Sequence, residues 1–256
     1  MHHNPRKRFG QNFLIDQQII AQIIAAIYPQ KNDQIIEIGP GLGALTRPLL
    51  QIVDHLNVVE IDRDIVDKLS KEFPQEKLTI HATDALKFNF SALGNKFRIV
   101  GNLPYNISTP LLFHLSQFSE HILDMHFMLQ KEVVERMVGI PATSDYGRLS
   151  VMLQYRFDME HVFSVPAESF RPMPQVESAI VHMIPRHQSS MNAQDEALFS
   201  QIVSAAFSQR RKTLRNTLRL YLNASDFSAL GIDSGLRAEN LSVENFVAIA
   251  NFLGKR

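Results

Sequence analysis

Four consecutive residues, Asn102-Leu103-Pro104-Tyr105, carry groups that could hold a planar base with an exocyclic amine. They follow the apolar run 98–101, which predicts a buried strand ending in a rigid turn. The Asn102 side chain and the Leu103 carbonyl could each accept a hydrogen bond from the amine, and Tyr105 could stack on the ring. We interpret this turn as a place where a base amine attacks an electrophile. The alternative is an ordinary strand-to-loop turn with a buried tyrosine.

A glycine-rich loop precedes this turn in the chain. Gly39, Gly41 and Gly43 lie between a predicted strand at 34–38 and a helix-like segment at 44–52. Glycine allows a sharp turn and a close approach to a ligand, and the first turn of the helix offers free amides to an anionic group. The spacing also fits the dinucleotide-binding fingerprint, and a purely structural turn stays open as an alternative.

Two acidic residues make the interpretation of the glycine loop more specific. Glu60 ends the second predicted strand, where an acid can meet the two hydroxyls of a ribose. Asp84 follows the third strand and could accept a hydrogen bond from an adenine amine. Either acid alone could be a solvated loop residue. Together with the glycine loop and Asn102 they mark four successive strand ends, which predicts one groove for a cofactor that contains adenosine.

The elements that must position these residues alternate between strands and helices, which predicts an α/β fold with a mostly parallel sheet. Strands are predicted at 56–62, 77–81, 98–102, 125–129, 146–155 and 179–184, and helices at 19–28, 65–73, 110–118 and 131–138. A polar segment at 185–195 lacks periodicity. We therefore predict one domain at residues 1–185 and a small all-α domain at 186–256, which shows only helical periods.

Composition narrows the class of protein. The chain of 256 residues has no cysteine, which excludes disulfides, a thiolate metal site and a cysteine nucleophile. No apolar run approaches the length of a membrane span, and the polar, basic start at 1–10 has no apolar signal core, so we expect a cytoplasmic protein. The ten histidines show no paired ligand spacing, and we predict no metal site.

The net charge of the chain is zero, but its charged residues are unevenly distributed. Residues 1–185 carry 17 Lys and Arg against 20 Asp and Glu, a balance of −3, whereas residues 186–256 carry 9 against 6, a balance of +3. Basic residues cluster in two places, which are Arg6, Lys7 and Arg8, and then Arg210, Arg211, Lys212, Arg215 and Arg219. A neutral protein with such local clusters can still bind a polyanion.

Five blocks of sequence, spread over nearly the whole chain, resemble the S-adenosylmethionine-dependent ribosomal RNA adenine N6-dimethyltransferases, and the small-subunit (16S) branch most closely. These blocks are Arg8–Leu14, Glu37–Thr46, Gly101–Ser108, Tyr146–Ser150 and Arg210–Asn216. The resemblance implies a Rossmann-like class I methyltransferase fold with an appended helical domain. It also implies dimethylation of two adjacent adenines in a hairpin near the 3′ end of 16S rRNA, within the small ribosomal subunit or its precursor, and a role in subunit biogenesis.

The resemblance also assigns residues. It implies that S-adenosylmethionine contacts Asn12, Leu14, Gly39, Gly41, Gly43, Glu60, Asp84 and Asn102. It implies that the turn 102–105 receives the target adenine, with Phe170 of a Pro-rich loop as a second stacking face or, equally, as a core residue.

The two basic clusters are expected to contact RNA. Arg211, Arg215 and Arg219 would form one stripe along a helix beside the apolar line Leu214, Leu218 and Leu222. A solvated face is the alternative for this stripe. We expect the protein to act as a monomer on ribosomal RNA, with no membrane partner.

Three other functions use parts of the same pattern. A related large-subunit rRNA dimethyltransferase would share the 102–105 turn, but the 39–43 loop and the 210–216 block fit the small-subunit branch better. A nicotinamide-dependent dehydrogenase would explain the glycine loop and not the turn. A non-catalytic RNA-binding assembly factor could keep the fold without turnover.

Overall fold

The computed structural model describes residues 11–186 and 192–255 of the chain. Its strands are β1 (Phe13–Leu14), β2 (Ile35–Ile38), β3 (Leu56–Glu60), β4 (Leu78–Ala82), β5 (Phe97–Asn102), β6 (Ile122–Gln130), β7 (Phe157–Val165), β8 (Phe170–Arg171) and β9 (Ser178–Pro185). Its helices are α1 (Gln17–Ile27), α2 (Thr46–Leu50), α3 (Arg63–Glu72), α4 (Ser108–Ser116), α5 (Lys131–Val138), α6 (Arg148–Gln154), α7 (Glu196–Ala206), α8 (Leu214–Thr217), α9 (Ala224–Leu230) and α10 (Val243–Leu253).

The central sheet has seven strands in the order β4-β3-β2-β5-β6-β9-β7. Strands β4, β3, β2, β5 and β6 pair in parallel, and β9 pairs with β6 in the antiparallel sense. All four residues of β2 are buried, as expected for a parallel strand covered by helices on both faces. The predicted mostly parallel sheet is confirmed, and it brings the carboxyl ends of β2, β3, β4 and β5 to one edge.

Local sequence explains where the helices of this part begin and end. The Asp16 carboxylate accepts hydrogen bonds from the amides of Gln18 and Ile19 and caps α1, which ends at Tyr28 in the left-handed region. The Asp62 carboxylate accepts from the Asp64 amide and caps α3. A second, two-stranded sheet pairs β1 with β8 and so holds the first described residues of the chain.

The chain divides into two compact units. Residues up to Val134 together with Met159–Pro185 form the unit that contains the sheet, and Glu135–Asp158 pack with the chain from Arg186 onward. The predicted boundary after residue 185 ends the first unit, but the prediction that all of 1–185 is one domain differs from the structure in the segment 135–158. That segment places its buried Tyr146, Val151 and Tyr155 in the helical core instead.

The strand predicted at 146–155 is wrong. Most of it is α6, which begins after Gly147, where Ser150 Oγ accepts a hydrogen bond from the Gly147 amide at 2.9 Å. The alternation of Leu149, Val151 and Leu153 resembles a strand. A helix buries Val151 and Tyr155 together, four residues apart, and this packing decides the structure.

The helical unit has its own apolar core. Helix α7 buries Phe199, Ile202, Val203 and Ala206, and α10 begins after Ser242 and buries Phe246 and Ile249, as the periodicity predicts. The long helix expected to carry Arg211, Arg215 and Arg219 is not formed, because α8 covers only Leu214–Thr217. The apolar residues of that segment, Leu214, Leu218 and Leu222, are nevertheless buried. None of the helices in the described part of the chain has the length and hydrophobicity of a membrane-spanning segment.

Candidate active site

One cleft of about 240 Å³ opens at the carboxyl edge of the parallel strands. It is lined by the glycine loop after β2, by the ends of β3 and β4, by the turn after β5, and by the segment 11–14 that precedes α1. The lining includes nearly all of the residues predicted from sequence, namely Asn12, Leu14, Gly39, Gly41, Glu60, Asp84, Asn102, Leu103, Pro104 and Tyr105. The four predicted strand ends therefore do meet at one groove.

The Asn102 amide is held in one orientation by a residue distant in sequence. Its Nδ2 donates a hydrogen bond of 2.9 Å to the backbone carbonyl of Asn12. An amide has its oxygen opposite its NH₂ group, so this bond fixes where Oδ1 points. Neither Asn102 Oδ1 nor the Leu103 carbonyl accepts a hydrogen bond from another described residue. The turn thus presents two acceptors beside the cleft.

The rest of the turn is rigid. The Leu103 amide donates to the Met128 carbonyl of β6, and the Pro104 carbonyl accepts from the Ile107 amide, both at 3.1 Å. The Tyr105 hydroxyl lies 2.7 Å from Ser178 Oγ at the start of β9. Since Ser178 is fully buried, this contact holds the half-buried Tyr105 ring at a defined angle.

The contact between Tyr105 and Ser178 gives a testable prediction. Ser178→Ala and Tyr105→Phe each remove one neutral hydrogen bond, so we expect each to lower kcat about 3- to 10-fold with little change in cofactor affinity. Because both variants break the same bond, the double variant should be no slower than the slower single variant. Ser70→Ala, on the exposed face of α3, serves as the control. Additive losses in the double variant would show that the hydroxyl does not position the ring.

Glu60 is a buried acid fixed by the backbone. Its Oε1 accepts hydrogen bonds of 2.8 Å from the amides of Ile61 and Asp62. Burial raises the pKa of Glu60, and the amides of Asp62 and Ile61 oppose this shift. Asp62 in turn accepts a 3.0 Å hydrogen bond from the Gln11 side chain, which ties the segment 11–14 to this end of β3. An acceptor at the end of β3 fits the diol of a ribose.

The other strand ends complete a surface suited to an adenosine. Asp84 Oδ1 accepts from the Leu86 amide at 3.0 Å, and Oδ2 has no hydrogen bond to another described residue. Gly39 and Gly41 have φ values of +68° and +52°, and a Cβ at Gly41 would lie 3.1 Å from the Phe13 ring. A side chain at Gly41 would therefore fill the space between the loop and the segment 11–14. These residues fit S-adenosylmethionine.

Two predicted residues do not line the cleft. Gly43 has φ +85°, and a Cβ there would meet the Arg47 guanidinium at 3.0 Å, so the turn itself favours glycine at this position. Phe170 is fully buried in the core of the sheet unit, and its backbone pairs with Leu14. The structure contradicts a stacking role for Phe170 and agrees with the core alternative, because a ring with no exposed surface cannot receive a base.

The residues predicted to contact RNA fall in two groups. Arg6, Lys7 and Arg8 lie outside the described residues. Arg210, Arg211, Lys212, Arg215 and Arg219 are all exposed, and Arg210 donates to the Ser144 carbonyl at 2.9 Å. Arg215 lies in the short helix α8, and the other four lie on the turns before and after it, so the five do not share one helical face.

Sequence reasoning missed Glu37, which lines the cleft from β2. Its side chain is only 2% exposed, and its Oε2 accepts a 2.7 Å hydrogen bond from Thr46 Oγ1. Burial raises the pKa of Glu37 to about 7, against the smaller lowering effect of the Thr46 bond. A charged residue inside an otherwise aliphatic strand, two positions before Gly39, was the available signal. Gln11, Phe13 and Ser178 had no such signal, because their roles depend on contacts with distant residues.

The raised pKa of Glu37 predicts a pH dependence of stability. The folded state favours the protonated acid, so the free energy of unfolding should fall as pH rises from 4.5, the ordinary value, through about 7. A shift of this size corresponds to about 3 kcal/mol. Glu37→Gln should remove most of this decrease in the free energy of unfolding, measured by urea unfolding at pH 4.5 and 8. The exposed Glu76→Gln should keep the wild-type slope. An unchanged slope in Glu37→Gln would contradict the assignment.

Comparisons with known proteins agree with this geometry. The family model of the ribosomal RNA adenine dimethylases matches residues 2–255. A protein of Nitrosospira multiformis named ribosomal RNA small subunit methyltransferase A is 63% identical over 255 residues, covering 100% of this chain and 98% of its own. Its namesake in Nitrosomonas europaea is 66% identical over 249 residues, covering 97% and 96%.

Solved structures have the same architecture. A dimethyladenosine transferase from Plasmodium falciparum superposes with a TM-score of 0.77 at 26% identity, covering 93% of this chain and 95% of that one. The 23S rRNA methyltransferase ErmE superposes with a TM-score of 0.74 at 24% identity, covering 95% and 100%, which shows the common fold. The family match over nearly the full length, together with relatives above 60% identity, shows that this chain belongs to the ribosomal RNA adenine dimethylase family.

Proposed function

We propose that this protein transfers methyl groups from S-adenosylmethionine to the N6 amines of two adjacent adenines, in a hairpin near the 3′ end of 16S rRNA. The main support for this proposal is that the 102–105 turn lines the same cleft as Glu60, Asp84 and the glycine loop. The family and the printed names of the full-length relatives support RNA of the small subunit as the substrate.

The residues divide into those that hold the cofactor and those that hold the base. Glu60 accepts from the ribose hydroxyls, Asp84 from the adenine amine, and the amides near Gly39 and Gly41 meet the remaining polar groups of the cofactor. S-adenosylmethionine supplies a methyl group that its sulfonium already makes electrophilic. Positioning and electrostatics therefore account for most of the barrier reduction that this chain provides.

The turn prepares the amine for attack. An adenine amine is a poor nucleophile because its lone pair is conjugated with the ring. Hydrogen bonds from its two N–H groups to Asn102 Oδ1 and the Leu103 carbonyl favour the pyramidal form, in which the lone pair is available. As the new N–C bond forms, the bond from the methyl carbon to sulfur breaks and leaves a neutral thioether. The methylated nitrogen is acidic and loses its proton to water, so the site needs no strong general base. A second transfer to the same nitrogen requires room beside Asn102.

The target base must leave its stack to reach this turn. Extrusion costs a few kcal/mol, and stacking on Tyr105 offsets about 1–3 kcal/mol of it. The exposed basic residues around α8 and those at positions 6–8 are proposed to bind RNA phosphates, which would make binding dependent on salt. We further propose that the protein acts in the cytoplasm as a monomer.

The test is methylation of purified subunits with labelled S-adenosylmethionine, followed by mapping of the modified bases. We expect label on two adjacent adenines of 16S rRNA in small subunits that lack these methyl groups. Label in large-subunit RNA alone would identify the alternative dimethyltransferase. Absence of label from every particle, with RNA binding retained, would identify a non-catalytic assembly factor.

A further inference from the structure

A second cluster of ionisable side chains lies in the sheet, away from the cleft. Asp124 and His126 point to the same face of β6, and His182 is the direct partner of His126 on the antiparallel strand β9. One ligand atom from each of the three side chains lies within 4.8 Å of the other two. No local histidine spacing marks this cluster in the sequence, because 56 positions separate the two histidines.

Two buried nitrogens in this cluster lack a hydrogen bond, and one of them, His182 Nε2, has only a long contact with Asp124. His126 is 5% exposed, and its Nδ1 is buried without a hydrogen bond to any described residue, as is Nε2 of His182. A buried imidazole nitrogen with no partner is costly, which suggests that something binds there. The His126 ring lies beside the backbone carbonyl of Ala26. A ring nitrogen that faces a carbonyl leaves the other nitrogen as a lone-pair donor, as in many metal sites.

The carboxylate of the cluster is equally well oriented. Arg98 donates to both oxygens of Asp124, from Nε and from a terminal nitrogen, each at 2.8 Å, and its other terminal nitrogen donates to Asp33. His182 Nε2 lies 3.5 Å from Asp124 Oδ2. Because each carboxylate oxygen has two acceptor positions, Arg98 leaves one on Oδ2 for a further ligand. The positive charge of Arg98 limits the affinity of a cation here.

We propose that Asp124, His126 and His182 form a binding site for a divalent transition-metal ion of the zinc class. Two imidazoles and one carboxylate are a ligand set that Zn²⁺ accepts, with water in the fourth position. Tetrahedral coordination needs ligand atoms about 3.4 Å apart. The two rings are stacked with centroids 4.2 Å apart, so the site closes by rotation of the His182 ring, whose side chain is 25% exposed.

The distance of this cluster from the catalytic turn makes it a site that would stabilise the fold rather than take part in methyl transfer. Asp124 pairs with Arg98 and Met128 pairs with Asn102, so the cluster lies four residues, about 13 Å, along the sheet from the catalytic turn. An ion held by β6 and β9 would join the two strands of this antiparallel pair. Metal binding to the folded state alone would then stabilise that state.

The experiment titrates the metal-free full chain with ZnCl₂, using isothermal calorimetry and thermal unfolding. We expect one ion per chain with micromolar affinity and a Tm that rises with zinc. His182→Asn should weaken this binding at least 10-fold and abolish the rise in Tm. Co²⁺ should give the visible absorption of a tetrahedral site in wild type and not in His182→Asn. His161→Asn removes an exposed histidine of β7 and is the matched control.

The result that would overturn the proposal is equally specific. His2 and His3 could chelate zinc at the chain start, so a His2→Ala/His3→Ala variant is titrated in parallel. Retained binding in that variant supports the sheet site. Three results would overturn the proposal. They are loss of zinc binding in His2→Ala/His3→Ala, unchanged binding in His182→Asn, and absence of binding to wild type. His126→Gln provides a second variant of the cluster itself.

Discussion

Asn102→Ala is expected to lower kcat for methyl transfer by about 10²–10³-fold, the range found when one preorganised polar group is removed from an active site. The alanine variant loses the Oδ1 acceptor and also the bond that joins the turn to the Asn12 carbonyl. The affinity for S-adenosylmethionine should change far less, because Glu60 and Asp84 remain. Single-turnover rates with small subunits, together with calorimetric cofactor binding, separate the two effects.

The control for this variant is Asn32→Ala, which removes an exposed asparagine before β2. It should keep the wild-type rate. Asn102→Asp is informative as well, since it retains an acceptor but cannot donate to Asn12. Turnover of Asn102→Ala at the wild-type rate would remove Asn102 from the catalytic site.

Glu60→Gln is expected to weaken S-adenosylmethionine binding by about 10²-fold or more, because hydrogen bonds to a charged acceptor contribute about 1.5–3 kcal/mol each. The glutamine keeps the size of the side chain and one oxygen for the amides of Ile61 and Asp62. Glu60→Ala would leave both amides without that acceptor and destabilise the protein, so the amide variant tests binding more cleanly. Calorimetry at fixed pH measures the change.

A matched variant distinguishes this effect from a general loss of charge. Glu76→Gln changes an exposed glutamate before β4 and should bind the cofactor as wild type does. The thermal unfolding of Glu60→Gln should stay close to that of wild type. Wild-type affinity in Glu60→Gln would contradict the assignment of Glu60 to the ribose.

The sequence by itself determined the parallel sheet, because buried aliphatic runs alternate with helical periods. It also determined which residues meet. Gly39 and Asp84 come just after parallel strands, and Glu60 and Asn102 are the last residues of theirs. The carboxyl ends of neighbouring parallel strands share one edge. That argument needs only the order of the elements along the chain. The same reasoning failed at 146–155, where alternating apolar residues suited a strand and tertiary packing selected a helix.

Only the tertiary structure decided which residues hold the site in place. The Asn12 carbonyl orients Asn102 across 90 positions, and Ser178 holds Tyr105 across 73. It also removed Phe170 from the site by burying it and brought His126 beside His182. Contacts of this kind leave no periodic trace in a sequence, because they depend on how distant elements pack rather than on the local preference of either partner.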